Sequence, residues 1–452
     1  MPLIRSAVNP RLGILLNGLA IFLLCSTILP AQQTSSPQKP PEPDATPLNS
    51  SATFKTQTDL VLVPVVVKDK KGKPVEGLPK DAFSLEENGT PQAISLFEEF
   101  RSPLIGATPS AIVDQGHSNL GYSNAKELRL TLLVLDLLNT TPLQRTDGKE
   151  DFIKFLNKGL VGNQPVSLLC ITSKGLKLVH PLTTDTNALI EALKKLPIGA
   201  ESIMPLENRT FSTIWQLRDI AQAYLGVPGR KTMIFAAGHL PSLIAEGSIY
   251  ESSTYAPSLH RMWKSLVDSN ISIYPIRLLD WARNPARGGP ASDLSLRLRE
   301  FSDATGGNAC LESNDLMGCL SDAIDDSRAY YMLGFQVQSS DRKPGWRTLK
   351  VKVAADHAEV RARDGFYYGV PPFNDAKSVR DEEVNALASP LGYSGVPMFV
   401  KVLPPGAASA TAGKAATAFL ITIPITSVLI DASRPNPLDL DVGAIALNSK
   451  DT

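Results

Sequence analysis

A short polar run in the first third of the chain has the residue types of a cation site. Asp136 ends an unbroken apolar run, and Asn139 and Thr140 follow within four residues. Oxygen-bearing side chains are the ligands that hard cations such as Mg²⁺ or Mn²⁺ take in proteins. Because one carboxylate rarely holds such an ion alone, the sequence favours a second interpretation. In it, Asp136 or Asn139 caps the next helix, or Asn139 and Thr140 form local hydrogen bonds in the turn.

His239 is a second candidate for chemistry, because it follows the apolar run at residues 231–236. A hydrolase or modifying enzyme would place Asp136 and His239 in one crevice, where the imidazole acts as a general base. No acid or nucleophile accompanies His239 in sequence, which is more typical of a turn residue. The chain also has no GxSxG, GxGxxG, P-loop or HExxH motif. These observations favour a protein that is not an enzyme.

The cysteines leave two interpretations open. Cys170 lies in an apolar run and is expected to be buried. Cys310 and Cys319 flank a short loop, so they form either a disulfide bond or two free thiols.

The N-terminus predicts export. Arg5 and Arg11 precede an apolar run at residues 12–29, which ends in Pro30. This pattern is typical of a signal peptide over residues 1–31, cleaved to release an extracytoplasmic protein, periplasmic or secreted. The alternative is an uncleaved N-terminal membrane anchor of about 18 residues. After cleavage, no substantial membrane insertion is expected.

Charge and composition narrow the class of partner. Forty-five Lys and Arg balance forty-five Asp and Glu, and hydrophobic residues make up 43%. A neutral chain has no field that attracts nucleic acid, so a partner protein or an envelope component is expected instead.

The elements that position the polar run form an α/β pattern. Apolar strands alternate with amphipathic helices over residues 128–369, which predicts a doubly wound, mainly parallel sheet with one antiparallel edge strand. Asp136 then lies at the carboxyl end of the first strand, where such sheets bind ligands. Three late strands, at residues 329–337, 347–353 and 358–363, are expected to pair with one another and close this domain.

Shorter segments flank the α/β pattern. Residues 32–51 read as a disordered linker, and residues 52–101 as a small β-sandwich-like module. Residues 102–127 read as a second linker. Residues 370–452 form a Pro/Ala-rich segment that contains a partial, small β-rich C-terminal unit.

Several short motifs occur in an order that resembles the VWFA-related acidobacterial domain family. The motifs are Gly77-Leu78, Leu133-Val134-Leu135-Asp136, Pro228-Gly229-Arg230-Lys231, Thr305-Gly306-Gly307, Tyr330-Tyr331-Met332-Leu333-Gly334 and Gly365-Phe366-Tyr367. The resemblance implies a von Willebrand factor A-like domain, normally a non-catalytic binding domain with a Mg²⁺-dependent adhesion site. Its DxSxS motif falls on Asp136, Leu138 and Thr140. The metal residues would be Asp136 and Thr140, in a site made degenerate by Leu138.

The sequence therefore predicts an exported, non-catalytic binding protein. The expected binding residues are Asp136, Asn139, Thr140 and His239. Two alternatives stay open: an extracytoplasmic hydrolase or modifying enzyme that uses the Asp136/His239 crevice, and a structural envelope protein that assembles through exposed strand edges.

Overall fold

The structure is a computed structural model that describes the α/β region and most of the β strands on either side of it. The described residues are 59–101, 116–119, 129–158, 164–199, 204–238, 256–278, 291–311, 316–337, 344–369, 376–404 and 417–424. The expected signal peptide at 1–31 and linker at 32–51 lie outside them.

The elements follow one another in a β, α/β, β order. The strands are β1 (Asp59–Lys68), β2 (Phe83–Glu87), β3 (Thr90–Gln92), β4 (Leu96–Phe100), β5 (Gly116–Ser118), β6 (Leu130–Asp136), β7 (Val166–Thr172), β8 (Gly175–Thr183), β9 (Lys231–Ala237), β10 (Ile271–Arg277), β11 (Tyr330–Val337), β12 (Gly345–Val353), β13 (Glu359–Arg361), β14 (Gly365–Tyr368), β15 (Phe399–Val402) and β16 (Phe419–Thr422). The helices are α1 (Pro142–Asn157), α2 (Thr186–Lys195), α3 (Leu206–Ala223), α4 (Ala256–Asp268), α5 (Ala291–Thr305), α6 (Leu316–Asp325) and α7 (Ala376–Ala388).

The central sheet has the order β10-β9-β6-β7-β8. Its strands are parallel except β8, which pairs antiparallel with β7 at the edge. Every residue of β6 and β9 is buried, because helices cover both faces of the sheet. One face packs Leu217, Trp263 and Phe301 from α3, α4 and α5. The other packs residues of α1, α2 and α6. The predicted α/β class with a mainly parallel sheet is confirmed.

The remaining long strands form a β sandwich. Its two sheets have the orders β13-β1-β11-β4 and β14-β12-β2-β3. They share one core, in which the rings of Phe83 and Tyr331 lie 4.8 Å apart. The sandwich therefore combines strands from before and after the α/β region, which is inserted between them.

The expected pairing of the three late strands is wrong. β11 pairs with β1, from Asp59 opposite Val337 to Val65 opposite Tyr331, and with β4 on its other side. β12 pairs with β2 and β14. The physical reason is burial: all but one residue of β11 is buried, so β11 needs a neighbour on each side, and the N-terminal strands supply both. The β strands expected as a module over 52–101 thus share their sheets with strands expected in the 128–369 domain.

The C-terminal part contains a helix that the sequence analysis missed. The expectation for residues 370–452 was a Pro/Ala-rich segment with a partial β unit, but α7 has good helix formers and a Lys377–Asp381 ion pair one turn apart. After α7, Leu391 is buried against the α3 side of the core, and the Tyr393 hydroxyl donates to Asp219 of α3. This segment therefore docks on the α/β region.

A small sheet completes the C-terminal part. β15 pairs with β16 and with β5, so the expected linker at 102–127 contributes a strand. Phe419, Leu420 and Ile421 of β16 are exposed. Among the described residues, none of the helices has the length and apolarity needed to cross a membrane.

Candidate functional site

The candidate site lies where the strand order of the central sheet reverses. β6 and β9 are neighbours, and the helices that follow them, α1 and α4, pack on opposite faces. Such a reversal leaves a crevice at the carboxyl ends of the strands. Here that position is taken by Asp136 at the end of β6 and by Gly238 directly after β9, and both residues are buried.

Asp136 is fully buried and organises the turn that follows it. Its Oδ1 accepts the backbone N–H groups of Leu138 and Asn139, both at 2.9 Å. Its Oδ2 accepts the Asn139 side-chain Nδ2 at 2.7 Å. Burial raises the pKa of Asp136 to about 6, while these three donors act in the opposite direction by favouring the charged form. Both carboxylate oxygens are thus used by the turn.

Asn139 links this turn to helix α3. Besides Asp136, its Nδ2 donates to Thr213 Oγ1 at 2.8 Å. The Thr213 hydroxyl in turn donates to the Arg209 carbonyl at 2.9 Å. Asn139 is 3% exposed, and its Oδ1 accepts no hydrogen bond from the described part of the chain.

Thr140 and Thr141 complete the turn and start α1. The Thr140 hydroxyl donates to the Asp136 carbonyl at 2.6 Å. Thr141 is the N-cap of α1 and forms a capping box with Gln144. Gln144 Nε2 also donates to the Leu278 carbonyl beyond β10, at 2.8 Å. The helix cap is therefore Thr141, whereas Asp136 and Asn139 make the turn bonds.

Gly238 allows this close packing. A Cβ at that position would lie 2.3 Å from Gln144 Oε1 and 3.1 Å from the Asn139 carbonyl oxygen. A side chain there would displace Gln144 from the crevice.

The structure brings three of the four expected binding residues together. Asp136, Asn139 and Thr140 share one turn, whereas His239 lies outside the described residues. A crevice shared by Asp136 and His239 therefore stays a prediction. Sequence reasoning missed Thr213 and Gln144, which carry no motif and reach the turn only through the packing of α3 and α1.

The residues of the turn do not fit the cation that the family resemblance implies. Both oxygens of Asp136 already accept N–H groups, and the Asn139 amide nitrogen lies 2.7 Å from Asp136 Oδ2. Leu138, at the position of the first serine, is apolar and buried. The described residues also contain no cluster of three or more His, Cys, Asp or Glu that suits a metal ion.

The cysteine pair lies beside the same sheet. Cys310 and Cys319 form a disulfide bond, with their Cα atoms 5.9 Å apart. Cys310 pairs with Ile276 at the end of β10, and Cys319 belongs to α6. The bond therefore ties α6 to the edge of the sheet. Cys170 is buried in β7.

Comparisons with known proteins give structural similarity only. No protein-family model matches the chain, and no curated protein matches it. An aerotolerance-related membrane protein from Bacteroides fragilis NCTC 9343 is similar at 11% identity, over 44% of this chain and 98% of that chain, with a TM-score of 0.28. The SpRpn10 VWA domain is similar at 16% identity, over 43% and 94%, with a TM-score of 0.25.

A third similar structure is that of a metal-containing protein. Proximal thread matrix protein 1 from the mussel byssus, with a zinc-occupied MIDAS motif, is similar at 11% identity, over 47% of this chain and 48% of that chain, with a TM-score of 0.28. All three TM-scores are low, and the α/β class of the present chain follows from its own strand order. Membership of the VWFA-related acidobacterial family stays a prediction.

Proposed function

We propose that the chain is an exported, non-catalytic binding protein that contacts a partner protein or an envelope component through the carboxyl edge of its central sheet. The observation that supports this proposal is the ordered turn at residues 136–141, which lies at that edge where the strand order reverses. Hydrogen bonds fix this turn to α3 through Thr213 and to the end of β10 through Leu278. A surface that is already ordered loses little entropy on binding.

The state of Asp136 supports binding rather than catalysis. A general base needs a free lone pair within reach of the proton it removes. Hydrogen bonds from Leu138 and Asn139 occupy three of the four lone-pair sites of the Asp136 carboxylate, and the group is fully buried, without contact to solvent. Its role in this proposal is to hold the turn.

Two features support export. The leader at residues 1–31 has the pattern of a signal peptide. The disulfide bond between Cys310 and Cys319 is of a kind that persists in oxidising compartments outside the cytoplasm.

The test compares an arginine at each end of α1. Pro142 and Asn157 are both exposed, at the first and last positions of the helix, about 22 Å apart. Pro142→Arg places a long charged side chain at the carboxyl edge, and Asn157→Arg places the same side chain at the opposite edge. Each variant of residues 32–452 is immobilised, and its retention of secreted and envelope proteins from the source cells is quantified.

We expect Pro142→Arg to weaken the retention of specific components about tenfold or more, a change of about 1.4 kcal/mol in binding free energy. Asn157→Arg should retain them like the unmodified chain. Equal retention by all three proteins, with unchanged melting temperatures, would show that the carboxyl edge is not the binding surface.

A further inference from the structure

The side-chain amide of Asn139 lies between two oxygens that come from different elements. Its Nδ2 is 2.7 Å from Asp136 Oδ2 at the end of β6 and 2.8 Å from Thr213 Oγ1 on α3. A carboxylate and a hydroxyl facing each other across a crevice are also a common ligand pair for Mg²⁺, which binds oxygen at about 2.0–2.1 Å. The amide and a cation cannot occupy this position together.

The hydrogen bonds around Asn139 fix the orientation of its amide. The Thr213 hydroxyl donates to the Arg209 carbonyl, so its oxygen presents a lone pair to Asn139. The Asp136 carboxylate is likewise an acceptor. Rotating the amide by half a turn would place Asn139 Oδ1 against the Asp136 carboxylate, which has no hydrogen to donate. The carboxylate therefore requires the amide hydrogens on its side.

We propose that the Asn139 amide takes the place of a bridging cation, so that the crevice is held closed by hydrogen bonds and forms without metal. The inference goes beyond the proposed function, because it concerns how the crevice is built and holds whatever binds there. Its consequence is that α3 stays fixed to the β6 turn at any concentration of divalent cation.

The test exchanges the amide for a carboxylate of the same shape. Asn139→Asp replaces the amide NH2 group, with its two N–H donors, by one oxygen. It also places a second negative charge against Asp136, and only a cation or a proton relieves this repulsion. Asn187→Asp is the matched control, because Asn187 is exposed in the first turn of α2, where a negative charge is favourable. Melting temperatures are measured at pH 8 in EDTA and in millimolar Mn²⁺.

The melting temperature of the unmodified chain should be the same in EDTA and in Mn²⁺. The same should hold for Asn187→Asp. Asn139→Asp should melt about 5 °C lower in EDTA and regain most of that loss in Mn²⁺, since a ligand that binds only the folded state raises its stability. A rise in the melting temperature of the unmodified chain in Mn²⁺, lost in Asp136→Ala, would overturn the inference. The inference would also be overturned if the melting temperature of Asn139→Asp neither fell in EDTA nor recovered in Mn²⁺.

A second variant keeps the inference testable if Asn139→Asp does not fold. Thr213→Val keeps the side-chain shape and removes one of the two acceptors without adding charge. We expect it to melt a few degrees lower than the unmodified chain, with no response to Mn²⁺. A Thr213→Val variant that melts like the unmodified chain would show that the amide bridge does not hold α3, and would overturn the inference.

Discussion

The side chain of Asp136 is buried in the interior of the protein, and its pKa is therefore unusual. Burial raises its pKa from 3.8 to about 6. Between about pH 4 and pH 6 the folded chain therefore holds a proton that the unfolded chain has released. The contribution of Asp136 to the free energy of unfolding accordingly falls as the pH rises through this window.

The titration can be observed directly. We expect the Asp136 carboxyl carbon, followed by ¹³C NMR, to titrate with a midpoint near pH 6, about two units above the ordinary pKa of an aspartate. A midpoint near pH 4 would show that the hydrogen bonds from the turn outweigh burial.

A second buried carboxylate joins the sandwich to the α/β region. Asp326, directly after α6, is 1% exposed and forms ion pairs with Lys68 of β1 and Arg361 of β13. Tyr274 of β10 donates to it at 2.9 Å. Arg230 reaches the same cluster through Tyr274 and through the Asp326 carbonyl. One carboxylate thus compensates cations from both parts of the fold.

Removing the negative charge of Asp326 should lower the stability of the fold. Asp326→Asn leaves Lys68 buried without its carboxylate, while Arg361 keeps its ion pair with Glu359, and we expect the variant to lower the free energy of unfolding by about 3 kcal/mol. Asp325→Asn is the control: Asp325 is the neighbouring residue, its side chain is 42% exposed, and it pairs with Arg328. That variant should lose about 0–1 kcal/mol. Urea unfolding compares the two, and similar losses would contradict a central role for Asp326.

At the scale of single residues, contacts between residues close in sequence could be predicted, and contacts between distant residues could not. Asp136, Asn139 and Thr140 were recognised as one group because they lie within five positions of each other. Thr213 lies 74 positions from Asn139, and their contact depends on how α3 packs. The cluster around Asp326 joins residues from distant segments, which no local pattern connects.

At the scale of elements, the strands were easier to predict than their partners. The buried runs of β6, β7 and β9 identify a parallel sheet, because only a strand covered on both faces is apolar throughout. β11 is similarly apolar, but its sequence does not say which strands flank it. A local pairing with β12 was the simplest expectation, and the actual partner, β1, lies on the far side of the inserted α/β region.

The split sandwich can be tested by truncation. A chain that begins at residue 102 lacks β1 to β4, which exposes the buried side chains of β11 and half of the sandwich core. We expect this chain to melt well below the chain of residues 32–452 and to be cleaved rapidly by protease within residues 344–369. A chain that begins at residue 52 should behave like residues 32–452. If the chain from 102 kept full stability and protease resistance, residues 59–100 would be an independent module.

At the scale of the whole molecule, the sandwich and the α/β region have different proposed roles, support and binding. The sandwich holds the inserted region through the Asp326 cluster, and the proposed binding surface lies at the carboxyl edge of the central sheet. Because the overall charge is neutral, the proposal relies on short-range contacts at that edge rather than on long-range attraction.

The central claim is that this edge binds its partner, and that it does so without a cation. The most direct measurement is the retention of secreted and envelope proteins by immobilised residues 32–452, in millimolar Mg²⁺ and in EDTA, beside the Pro142→Arg variant. We expect the unmodified chain to retain the same specific components in both solutions, and Pro142→Arg to lose them. Loss of these components in EDTA, or full retention by Pro142→Arg, would contradict it.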